Sequence, residues 1–279
     1  GHLKRATTLA RAMNDVGLKV TLVSGGDFVP VIDDRGMEFV QLPGIRAADR
    51  TFSALVNSDG EKLSNSLKEK RRNKLLSVFR EVCPDILIIE LFPFGRRQLE
   101  FELIPLLDAA TVAPHKPIKV SSVRDILVEK NDLSRGEDMV KKAKTYFDHI
   151  LVHGDPNFIA FNETFPQASE LSNMLHYTGY VVEDETFKNT EETLGLDEVI
   201  VSSGSGAVGE LLLRTALRIR KDTYLSGSRW RLLAGHYMDE NVFRSVRDAA
   251  SGDVIVERAR ADFITLLKNC RLSISQGGY

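Results

Sequence analysis

Gly1-His2-Leu3-Lys4-Arg5-Ala6, followed at 21–27 by Thr-Leu-Val-Ser-Gly-Gly-Asp, decides how this chain folds. Leu3, Ala6, Leu9, Ala10 and Met13 recur at helical spacing, and Gly17 is a natural stop. Leu18 to Ser24 is rich in β-branched residues and ends at paired glycines, which reads as a strand. A helix that starts directly after Gly1-His2 reads as the back half of a strand–glycine-loop–helix unit whose strand precedes Gly1. In open α/β sheets the loop at such a strand's carboxyl end, with free N–H groups and the positive end of a helix, is where ligands bind. Two more loops of this kind follow, Ser202-Ser203-Gly204-Ser205-Gly206-Ala207 and Ser275-Gln276-Gly277-Gly278-Tyr279. Three such loops predict a two-domain α/β enzyme, incomplete at both ends.

Working outward, strands are expected at 38–42, 85–91, 118–123 and 149–152, with helices at 63–82, 97–110 and 135–147 between them. The helix at 97–110 should kink or break at Pro105. Asp85 to Leu91 is a nearly continuous apolar run, as in a strand covered on both faces. Residues 45–60 have no period and read as loop. A last short strand is expected at 177–182. Alternating strands and long helices imply βαβ units and a parallel sheet. The acidic stretch 183–196 reads as a linker and hinge. The pattern then restarts, with strands at 198–202, 230–234, 254–256 and 272–275 and helices at 206–219, 239–249 and 263–268. The domains are therefore placed at 1–182 and 197–279.

Composition bounds the function. The chain has 279 residues, 43% hydrophobic and 27% charged, with a net charge of −2. That is the profile of a globular protein and argues against a nucleic-acid partner, which calls for a basic face. No apolar run approaches the roughly 18 residues of a membrane helix. Two cysteines, Cys83 and Cys270, fit a reducing cytoplasm and read as small, mostly buried residues. The basic run Lys68 to Lys74 reads as a solvated helix face, or else as a weak peripheral contact with anionic lipid headgroups at the inner face of the membrane.

The candidate site residues fall at strand ends. His2, Gly25 and Gly26, Glu90, Arg124 with Asp125, and His153-Gly154-Asp155 all sit at or just past a strand's carboxyl end. On a parallel sheet those ends share one rim. His2 is a base candidate or a helix cap, and Asp125 is the other base candidate. Arg124-Asp125 otherwise reads as an ion pair anchoring a loop. Glu90 interrupts a buried strand and so needs a partner or a raised pKa, or else marks the end of its strand. His149, His153 and His176 show no metal-ligand spacing on a common face, so no metal is assigned. Gly204, Gly206 and Gly209 match Gly-x-Gly-x-x-Gly, without the acidic residue about twenty positions on that completes a dinucleotide fingerprint. An anion-binding loop and an ordinary tight turn both fit this segment.

Taken together, the segments at 1–6, 21–26, 84–87 (Pro-Asp-Ile-Leu), 177–181 (Tyr-Thr-Gly-Tyr-Val), 202–209 and 275–279 resemble the predicted bacterial glycosyltransferases related to glycosyltransferase family 28. That family includes the N-acetylglucosaminyltransferase that forms lipid II. The resemblance implies the GT-B fold, two Rossmann-like domains facing across a cleft. It also implies inverting, metal-independent hexosyl transfer from a nucleotide-diphosphate sugar, UDP-linked, to a glycan or lipid-linked acceptor, with no further cofactor. On this sequence it places the acceptor near Gly1, Gly25, Gly26, Glu90 and Arg124. It places the donor on Ser203, Gly204, Ser205, Gly206, Ala207, Ser275, Gln276, Gly277 and Gly278. The family has a strand before Gly1 and further α/β elements after Tyr279, among them an acidic residue that grips the donor ribose. Two rival readings are a nucleotide-sugar epimerase on the same fold and a non-catalytic nucleotide-sugar or glycan binder.

Overall fold

Short β-branched runs ending in polar or glycine residues become parallel strands here, and the helices between them cover one face more fully than the other. The computed structural model describes residues 2–28, 36–48, 54–127, 133–182, 193–204, 208–260 and 262–276. The chain divides into two units, Gly1–Glu183 and Asp184–Tyr279. Of the expected linker, 183–192 lies outside the described residues. Gly1, Ser205 to Ala207, Gly277 and Gly278 lie outside them as well.

Unit 1 begins with α1 (His2–Asp15), β1 (Thr21–Ser24) and β2 (Glu38–Gln41), the two strands forming a parallel pair. Next come β3 (Ile45–Ala47) and β4 (Leu55–Asn57), an antiparallel pair where the sequence reading expects loop. Three-residue strands are too short to show a period. The main sheet is built from β5 (Ile86–Glu90), β6 (Ile118–Arg124), β7 (His149–His153) and β8 (Leu175–Tyr177), all parallel and in chain order. The last of these ends at Tyr177, so residues 178–182 are not strand. Helices α2 (Asn65–Val82), α3 (Glu100–Val112) and α4 (Leu133–Tyr146) connect the strands. Pro105 lies inside α3, which continues through it.

Register sorts the side chains of this sheet. Ile89, Ser121 and Ile150 are neighbours across β5–β7, as are Val123 and Val152, so all five share a face. The apolar four of them pack against Leu75, Phe79, Leu106, Val140 and Ala143 from α2, α3 and α4. The opposite face carries Ile86, Ile88, Glu90, Ser122 and His153. Ile86 and Ile88 are exposed, so β5 is well covered on one face only, contrary to the two-sided burial its apolar run suggests.

In the basic run of α2, Lys70 and Lys74 are exposed, but Arg71 is 1% exposed. Its guanidinium makes a bidentate pair with buried Glu102 of α3 at 2.7 and 2.8 Å and donates to the carbonyls of Gly25 and Pro43. The run is therefore no uniform solvated face. Leu67, Arg71, Leu75 and Phe79 recur every four residues, and the stripe turns Arg71 inward. Cys83, expected buried, is exposed: it ends α2 in the left-handed conformation (φ 45°).

Unit 2 repeats the parallel design with β9 (Val199–Ser202), α5 (Glu210–Ile219), β10 (Trp230–Ala234), α6 (Glu240–Asp248), β11 (Val254–Arg258), α7 (Phe263–Asn269) and β12 (Leu272–Ser275). The strand order is β11-β10-β9-β12. Val199, Val201, Trp230 and Leu232 pack with Leu213, Ala216, Phe243 and Val246 of α5 and α6. On the other face Ile200 and Leu233 meet Leu266 of α7. Beside them Arg231 is clamped between Glu198 and Glu257.

Candidate functional site

The carboxyl edge of the β5–β8 sheet gathers a chain of hydrogen-bonded side chains. Glu90 and Ser122 are register partners on one face, and His153 is the diagonal neighbour of Ser122 on that face. Ser122 Oγ lies 2.9 Å from Glu90 Oε2 and 2.8 Å from His153 Nε2. His153 Nδ1 is 2.7 Å from Thr178 Oγ1, just past β8. The first turn of α1 reaches the other carboxylate oxygen: His2 Nδ1 is 2.9 Å from Glu90 Oε1, which also accepts from Arg5 Nη2.

The charges follow from these contacts. Burial works to raise the Glu90 pKa, but hydrogen bonds from His2, Arg5 and Ser122 and the charge of Arg5 override it, holding the carboxyl at about 2. Glu90 is thus ionised and accepts only. The carboxylate 2.9 Å away calls for a proton on His2 Nδ1, against a longer 3.4 Å contact of that nitrogen with Arg5 Nη2; in the neutral ring the lone pair is then on Nε2, and the side chain is 38% exposed. His2 opens α1, and its ring bonds Glu90 across the sheet edge, with the Arg5 side chain of the same helix 3.4 Å from Nδ1. Burial, then the charge of Arg5, push the His153 pKa down to about 4, so this ring is neutral.

Asp125 sits apart from that chain. It is fully buried, accepts from Ile126 N at 2.9 Å and from the Tyr180 hydroxyl at 3.1 Å, and presses on Gly154, where a Cβ would lie 2.4 Å from its own. Neighbouring Arg124 is half-buried and pairs in register with His153. Gly25 is fixed by Arg71, while Gly26 has open space where a side chain would stand. His149 and His176 do come together, Nδ1 to Nε2 at 3.0 Å, although their spacing in sequence gave no hint of it. Among the described residues no third metal-binding side chain joins them.

Unit 2 presents a different edge. Ser202 and Ser275 are register partners on β9 and β12, so the loops that follow them leave the sheet side by side. Gln276 N donates to Ser202 O at 3.2 Å. Ser203 is buried, and its hydroxyl ties β9 to β10, donating to Leu233 O and accepting from Gly235 N. Its side chain is thus used inside the fold. Gly204, Ser275 and Gln276 are exposed. Gly209 caps α5 at φ 116°, where a Cβ would come within 2.2 Å of Ser203 Cβ. Gly209 supplies no side-chain cap to that helix, whose first N–H groups lie at the positive end of the helix dipole.

Sequence reading names His2, Glu90, Arg124, Asp125, His153 and the glycine loops but misses Arg5, Ser122, Thr178 and Tyr180 as partners. The available signal was Ser121-Ser122, two hydroxyls inside a buried apolar strand.

No protein-family model and no curated protein matches this chain. Solved structures do match it along its length. UGT2 of Phytolacca americana, complexed with UDP-2-fluoro-glucose and pterostilbene, is 12% identical with a TM-score of 0.59, covering 100% of this chain and 74% of that one. UDP-N-acetylglucosamine 2-epimerase from Rickettsia bellii is 11% identical with a TM-score of 0.55, covering 99% and 71%. A UGT transferase from Siraitia grosvenorii in complex with UDP is 10% identical with a TM-score of 0.50, covering 100% and 75%. At these identities the likeness is one of fold: this chain has the GT-B type of α/β fold.

Proposed function

We propose that this protein is a nucleotide-sugar-dependent glycosyltransferase in which unit 1 activates the acceptor and unit 2 holds the donor diphosphate. The observation that carries the reading is the His2–Glu90 pair at the carboxyl edge of β5. An ionised carboxylate on Nδ1–H leaves Nε2 free to take a proton and stabilises the imidazolium that forms. In the proposed step His2 Nε2 removes the acceptor hydroxyl's proton as its oxygen bonds the anomeric carbon. The bond from that carbon to the diphosphate breaks, giving inversion. The N–H groups at the start of α5 offset the charge on the leaving nucleotide, so the scheme uses no metal.

Asp125 is the weaker base, because burial and its bonds to Tyr180 and Ile126 leave it no approach for a hydroxyl. The relation to family 28, a UDP-linked hexosyl donor and a glycan or lipid-linked acceptor complete the proposal, with the work done at the cytoplasmic face of the membrane. No helix among the described residues is long and apolar enough to cross a membrane. The epimerase likeness favours a second reading, epimerisation of the donor sugar at C2.

UDP release from UDP-glucose and UDP-N-acetylglucosamine, with and without glycan acceptors, tests the proposal. His2→Ala should lower turnover roughly 10²-fold or more while the Kd for UDP stays unchanged. Unchanged turnover would remove His2 as the base. Label moving between C2 epimers without transfer would favour the second reading.

A further inference from the structure

The face of β5–β7 that holds Glu90 also buries a serine and a histidine that the proposed transfer step does not use. Ser122 is 2% and His153 3% exposed, deep for two polar side chains, and every hydrogen between them can be assigned. Glu90, as an anion, offers only acceptors, so Ser122 donates its single hydroxyl proton to Oε2. The oxygen of Ser122 must then accept at its 2.8 Å contact with His153, which fixes the proton of that ring on Nε2. His153 Nδ1 is left bare and faces the Thr178 hydroxyl, 2.7 Å away, whose oxygen also lies 3.0 Å from the Gly179 carbonyl. From His153 the bonds run one way, to Ser122 and on to Glu90, and end on the carboxylate that also receives His2 Nδ1–H.

We propose that Ser122 and His153 are positioning residues that fix the Glu90 carboxylate and, through it, the tautomer and orientation of the His2 ring. A carboxylate held only by His2 and Arg5 could swing either oxygen toward either partner. Pinning Oε2 from behind leaves Oε1 for His2 and keeps Nε2 as the free nitrogen. Thr178 carries the constraint to the segment that follows β8, where Tyr180 bonds Asp125. The importance of this ordering for turnover rests on the reading of His2 as the base; the ordering itself does not.

Long-range ¹⁵N–¹H correlation spectra of the labelled full chain report the tautomer of each of its six histidines, with the His2 signals assigned from His2→Gln. The wild type should show His2 as the Nδ1–H form. Ser122→Ala should move His2 into a mixture of tautomers and slow UDP release from UDP-glucose roughly tenfold, with KM for UDP-glucose unchanged. Ser122→Thr, which restores a hydroxyl, should recover both. If Ser122→Ala does not fold, His153→Gln keeps an N–H toward Ser122 and should retain the His2 signature, whereas His153→Leu should lose it. A folded Ser122→Ala protein with the wild-type His2 tautomer overturns the proposal. A His2 tautomer that shifts in Ser122→Ala, with turnover unchanged in His2→Ala, upholds the positioning and discards the base.

Discussion

The carboxyl edges of the two sheets solve different problems with the same scaffold. In unit 1 the edge is made of hydrogen-bonded polar side chains: Arg5, His2 and Ser122 all hold Glu90, and Ser122 also meets His153. In unit 2 it is made of main chain and small residues, with the Ser203 hydroxyl and the Gly204 N–H spent on internal ties and space beside the Gly204 Cα. A side chain's proton affinity can be tuned by its neighbours, which suits proton transfer. A main-chain N–H cannot titrate and needs no counter-charge, which suits a diphosphate that must bind and leave. Parallel strands supply the common rim, and the residues placed on it decide its chemistry.

The sharpest way to break this comparison is to remove a charge from unit 1. Arg71→Met strands the buried Glu102 carboxylate and frees the Gly25 and Pro43 carbonyls. Unit 1 should lose about 3–5 kcal/mol of stability, seen as an earlier denaturant midpoint, while unit 2 unfolds as before. A loss below about 1 kcal/mol would show that this edge does not depend on its ion pair.

Acid is a milder probe of the same difference. His153 is held at about 4 against an ordinary 6.5, so between those values the unfolded chain binds the extra proton. Its contribution is complete above pH 6.5, declines as pH falls through that window and is gone below 4, a loss of up to about 3 kcal/mol. Glu90, lowered from 4.5 to about 2, adds a second loss that begins below pH 4.5 and runs down to 2. In unit 2 Asp262 is lowered by its hydrogen bond to Arg260, so it weakens the fold only below its ordinary 3.8. Hydrogen exchange at pH 5 should therefore show unit 1 opening before unit 2; the reverse order would contradict the assignment of a neutral, buried His153.

The smallest expected effect tests the main-chain edge. Gly209→Ala forces a side chain into φ 116° and against Ser203, at a cost of about 1–3 kcal/mol to unit 2. UDP affinity, followed by calorimetry, should weaken severalfold with the His2 tautomer untouched. An unchanged Kd would mean that this turn is structural only.

Much of the fold was legible because strands ending in Ser-Gly or in a charged residue announce a rim. Trp230–Ala234 and Leu272–Ser275 lie where β-branched and apolar content places them. The β3–β4 pair was not legible, since its register comes from partners and not from period. Of the site, the positions at strand ends could be read but not their connections. That Ser122 meets both Glu90 and His153 depends on how β5, β6 and β7 align, a fact of pairing that no local pattern encodes. Arg71 shows the opposite failure: its place on the stripe with Leu67, Leu75 and Phe79 was visible, but its charge suggested solvent.

The two strand orders also imply two ways of coming into being. In unit 1, β5, β6, β7 and β8 are neighbours in the order they are synthesised, so each can add to a finished edge as it leaves the ribosome. In unit 2 the earliest described strand, β9, lies in the interior and waits on one side for β12, Leu272 beside Val199, which follows β10 and β11 in the chain. Until then β9 keeps a bare edge. Unit 1's main sheet can thus be assembled strand by strand, whereas unit 2 leaves an interior strand open longer to the wrong partner.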